Sequence, residues 1–111
     1  MTEAQTDRAA RRAARHQFPA IDEAGLAAAR QCDRLLAAAI ELGATRWVAY
    51  FEPMPDRLRD DDPVALRATA VRCRAAYGPK DSVRDALPEA VTEPFLDALD
   101  RLLRELNRPR G

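Results

Sequence analysis

Thr45 to Glu52 reads TRWVAYFE and holds three of the chain's six aromatic residues (one Trp, two Tyr and three Phe in all). As a helix it would set Trp47 three positions from Tyr50 and four from Phe51, so the rings would cover one face. Each large ring can bury on the order of 150 to 250 Å². Alanine-rich flanking segments offer nothing comparable, so this face is expected inside, with the rest of the chain packed around it.

Outward from that stretch the sequence reads as all-α. Towards the N-terminus, Asp22 is a good N-cap for a long helix reaching about Leu42, with Gly43 at the C′ position. Its expected buried stripe is Ala28, Cys32, Leu35, Leu36, Ala39 and Ile40, with Arg30, Asp33, Arg34 and Glu41 facing water. Thr45 is expected to cap the aromatic helix, and Pro53 and Pro55 to end or kink it. Asp56 to Asp62 is polar except for Leu58 and is expected as a turn. Asp62-Pro63 then supplies an N-cap and an N1 proline for a helix to Tyr77, stopped by Gly78-Pro79. Leu66, Ala70, Cys73 and Tyr77 form its stripe, which Val64, Ala68, Val71 and Ala75 would widen. Ser82 and Asp85 have capping-box spacing before a short turn from Val83 to Leu87. The last helix is expected from Glu93-Pro94 to Asn107, with Leu96, Leu99, Leu103 and Leu106 in a seam that Phe95 and Leu102 broaden. The predicted fold is a compact bundle of four principal helices with a short extra turn.

Residues 1–18 form a separate expectation, a mobile basic N-terminal arm preceding one helical domain over 19–111. Arg8, Arg11, Arg12 and Arg15 recur on one helical face of this arm, with small alanines behind them. Such a strip would suit phosphates or an acidic partner, or would be a solvated charged face. His16, the sole histidine, reads as a surface residue.

Composition limits the function. At 111 residues the chain has the size of one domain. Its 18 basic and 18 acidic residues cancel, so any electrostatic partner must meet a local patch. Cys32 and Cys73 lack metal-ligand spacing and sit at apolar helical positions, as free thiols in a reducing cytoplasm would. No apolar run approaches a membrane span, and the N-terminus lacks the apolar core of a secretory signal. Asp60, Asp61 and Asp62 lack the alternation, glycine and distal glutamate of a hard-cation loop. With one serine and one histidine in segments that have no reason to meet, no catalytic residue is assigned, and neither a metal nor a cofactor is expected. An anion contact at the 78–82 loop would use Lys80 and Ser82 with Asp85 beside them, without a P-loop pattern.

The order Leu35-Leu36, Trp47, Gly78, Ser82 with Asp85, and Leu99 to Leu106 resembles a family of small bacterial helical proteins classed as a domain of unknown function. Pro79, Lys80 and Asp81 stand where the family loop is richer in glycine. The resemblance covers about two thirds of the chain and implies an immunity-type role in the neighbourhood of toxins. The expected function is accordingly a non-catalytic protein-binding module, an immunity-type or accessory subunit of a bacterial complex. One alternative is nucleic-acid binding through Arg8 to Arg15; another is a small enzyme using carboxylates. Self-pairing through Leu96 to Leu106 would give a homodimer, although two heptads are short for a coiled coil.

Overall fold

The computed structural model describes residues 3–109. Among the described residues seven helices follow one another: α1 (Glu3–His16), α2 (Pro19–Glu41), α3 (Thr45–Phe51), α4 (Met54–Asp60), α5 (Pro63–Ala75), α6 (Val83–Ala86) and α7 (Glu89–Asn107). No strand occurs among the described residues, and the fold is all-α. The central rod is α2, which touches α1, α3, α4 and α7, while α5 closes against α4 and α7.

Alanine makes that centrality possible. Ala24, Ala28, Ala29 and Ala39 of α2 are fully buried, and their small side chains let neighbouring backbones approach. Into this frame α3 delivers its rings. Phe51 is fully buried and Trp47 nearly so, with centroids 6.0 Å apart, and Phe51 meets Phe95 of α7 edge-on at 5.8 Å. Burying one such phenyl ring contributes about 2 to 3 kcal/mol. On α7 the buried seam centres on Phe95, Leu99 and Leu102, with Leu96 beside them and Leu103 and Leu106 half-buried. The leucine face is thus occupied within the chain.

Several helix ends fall elsewhere than the sequence suggests. Pro19 takes the first turn of α2, where an absent N–H costs nothing, so Phe18 is the N-cap and Asp22 lies inside the helix. Ala44, not Thr45, is the N-cap of α3. Pro55 likewise sits in the first turn of α4, so the stretch expected as a turn is helical from Met54 to Asp60. Helix α7 starts at Glu89 and carries Pro94 inside it, forgoing one backbone hydrogen bond. Gly43 does adopt the left-handed conformation, φ +65°, that stops α2. Gly78 does not; after α5 the positive φ, 50°, belongs to Asp81.

The N-terminal segment departs furthest from expectation. The segment expected as a mobile basic arm is a helix of 14 residues packed against α2 and α4. The cause lies in its arginines.

Candidate functional site

Helix α4 ends at Asp60, and its last carbonyls have no donors within the helix and carry the negative end of its dipole. The arginine strip of α1 supplies those donors. Arg12 donates to the Arg59 carbonyl at 2.7 Å and to the Asp60 carboxylate at 3.3 Å. Arg8 lies 3.8 Å from the other Asp60 oxygen, and Arg11 donates to Asp61 at 3.4 Å. Arg15 goes deepest. It is fully buried, donates to the carbonyls of Leu58 at 2.7 Å, Asp61 at 3.4 Å and Asp22 at 3.3 Å, and sets its Nε 3.0 Å from the Asp22 carboxylate. That last contact is an ion pair without hydrogen-bond alignment. Burial lowers the Arg15 pKa, against the opposing pull of Asp22.

Gly25 makes the space. A Cβ there would stand 2.4 Å from Arg15 Nη2 and 3.1 Å from the Leu58 carbonyl oxygen. A glycine inside a helix costs about 1 kcal/mol relative to alanine. Here it opens a seat for a guanidinium.

The three consecutive aspartates do three separate jobs. Asp60 receives Arg8 and Arg12. Asp61, nearly buried, accepts from the Thr69 hydroxyl at 3.0 Å as well as from Arg11. Asp62 caps α5, accepting from the Ala65 N–H at 2.9 Å. The groove between α1 and α4, lined by Arg8, Arg11, Arg57, Asp56, Asp60 and Asp61, therefore mixes both signs of charge.

The loop candidates are largely committed to structure. The Ser82 hydroxyl accepts from the Arg84 N–H at 3.0 Å, and Asp85 accepts from the Ser82 N–H at 3.2 Å, the reciprocal cap expected from their spacing. Arg84 makes a two-pronged pair with Glu93 at 3.0 and 2.7 Å, which raises the arginine's pKa and lowers the carboxyl's. Lys80 is exposed. His16 is exposed as well, while Cys32 and Cys73 are free and fully buried. Burial pushes the Cys73 thiol up to about 12 and raises Cys32 too, so neither is a thiolate nucleophile at neutral pH. The Tyr77 hydroxyl, also raised chiefly by burial, donates to the Thr92 carbonyl at 2.6 Å. Among the described residues no group of three or more His, Cys, Asp or Glu is placed to hold a metal ion, and no helix is long and apolar enough to cross a membrane.

The outer face of α5 was missed by sequence reasoning. Val64, Ala68, Val71 and Ala75, expected to widen the buried stripe, are exposed, Val64 at 82% and Val71 at 54%. The buried residues of α5 are Leu66, Thr69, Ala70 and Cys73, and the helix packs against α4 and α7. Steps of four, three and four align the exposed residues along the helix. Ile40, expected in the buried stripe of α2, is also exposed, at 61%. Periodicity marks a face as apolar; it does not say which neighbour covers it. Comparison with family models, with curated proteins and with solved structures returns no match.

Proposed function

We propose that this chain is a non-catalytic protein-binding module, an immunity-type or small accessory subunit of a bacterial complex, which meets its partner through the outer face of α5. The observation that carries this reading is the exposed row Val64, Ala68, Val71 and Ala75 on a helix whose other face is already in the core. Contiguous exposed apolar surface on a small domain is characteristic of interaction sites. A cytoplasmic location belongs to the same reading.

The other readings find less support. Arg15 is out of reach of any phosphate, and Arg8, Arg11 and Arg12 face aspartates, which weakens the case for nucleic acid. Asp60, Asp61 and Asp62 each have a structural partner, which weakens the case for carboxylate catalysis. Burial of Leu96, Leu99 and Leu102 leaves little of the α7 seam for a homodimer.

Affinity purification of the full chain from its source cells, with mass spectrometry and a Val71→Asp control, tests the proposal. A stoichiometric partner that is lost with Val71→Asp, at unchanged helix content, is the expected outcome. A partner retained by Val71→Asp would remove α5 from the interface. Recovery of none would reject the module itself.

A further inference from the structure

Two shallow grooves run beside the exposed row of α5. One is walled by Phe18, Ile21, Pro63 and Leu106 around Val64, with Arg67 at its edge. The other lies along Ala68, Val71 and Ala75, with Arg57 and Arg72 at its edge. No acidic residue lines either groove among the described residues, and α5 itself has three arginines and no acid. In a chain whose charges otherwise cancel, this is a locally basic border around an apolar row. None of the three edge arginines is matched to a carboxylate among the described residues. Arg67 donates to the Leu106 carbonyl at 2.6 Å and to the Asn107 side-chain oxygen, Arg72 lies over the Tyr50 ring at 5.6 Å, and Arg57, which also lines the charged groove beside Asp56, Asp60 and Asp61, forms no ion pair among the described residues.

From this we infer that the occupant of the α5 face is an amphipathic helix of another protein, with small apolar residues along its contact stripe and glutamates or aspartates flanking it. The inference rests on the protein-binding reading and adds the partner's chemistry. Valine alternating with alanine leaves a ridge low enough for a second helix to lie close along it. Glutamates on one side of the partner's stripe would reach Arg57 and Arg72, where arginine can engage a carboxylate with two hydrogen bonds, and glutamates on the other side would lie beside the charge of Arg67, whose terminal nitrogens already donate to Leu106 and Asn107. A second copy of this chain fits poorly, since two-fold pairing of the same patch opposes arginine rows with no acid between them.

A displayed library of amphipathic helices tests this. The contact stripe is held as valine and alanine, and the flanking positions are randomised among Glu, Lys and Ser; selection is against the intact chain. Glu should be enriched at the flanks, and the selected helices should bind Val71→Asp at least about tenfold more weakly. The Arg57→Glu/Arg72→Glu variant should reverse the preference towards Lys. Enrichment of Lys or Ser by the unaltered chain, with binding still sensitive to Val71→Asp, overturns the acidic partner and leaves the α5 interface standing. No enrichment at all overturns the helical partner, whereas the affinity purification decides separately whether any protein is bound. A dimer in sedimentation equilibrium that Val71→Asp dissociates would also overturn it, by giving the face to a second copy.

Discussion

At the scale of single residues, Arg15 and Gly25 are one device. The guanidinium satisfies three backbone carbonyls from two parts of the chain, the end of α4 and the first turn of α2, and the missing Cβ lets it in. Arg15→Met would leave buried carbonyls and a partly buried Asp22 without their cation, and a loss of about 2 to 4 kcal/mol in urea denaturation is expected. Gly25→Ala alone should destabilise the protein by about 1 kcal/mol or more, in spite of alanine's higher helix propensity, because Arg15 is enclosed and cannot swing aside. In the Arg15→Met background the same Gly25→Ala change should be neutral or stabilising. Additive effects in that double-mutant cycle would show that the two positions are not coupled in this way.

At the scale of elements, the legible features were those whose cause lies within one helical turn. Asp62-Pro63, the Ser82 and Asp85 pair, the Gly43 stop and the ring cluster of α3 can each be read from adjacent residues, and all four are present. Asp62→Ala should accordingly cost about 1 kcal/mol, seen as a lower urea midpoint at unchanged slope. An unchanged midpoint would mean that α5 does not depend on this cap. The prolines misled because Pro19 and Pro55 start helices, whereas a proline read without knowing where a helix begins looks like a breaker. Helix α1 was illegible for a different reason. Its basic face and the aspartates that receive it are separated by 48 residues at Arg12 and Asp60 and by 50 at Arg11 and Asp61. Each charge run, taken alone, looks solvated. The candidate interface on α5 was hidden too, since both faces of that helix carry apolar residues and only the packing of α4 and α7 selects the buried one.

At the scale of the whole molecule, the core holds Cys32, Cys73 and Tyr77, three acids whose charged forms burial disfavours. Their folded pKa values lie above the unfolded ones, so the folded state keeps protons that the unfolded chain gives up. Stability should therefore be fully present below the unfolded thiol value of about 8.5 and decline as pH rises from there towards about 12, where the Cys73 thiol ionises in place. Urea denaturation at rising alkaline pH measures the slope, which Cys32→Ala/Cys73→Ala should flatten. A slope indifferent to those substitutions would place its origin elsewhere. The seat of Arg15 also dictates a sequence in time. Its carbonyl partners on Leu58 and Asp61 are 43 and 46 residues further along. A chain emerging from the ribosome N-terminus first has therefore presented Arg15 well before these acceptors exist, and the guanidinium must wait to be locked in.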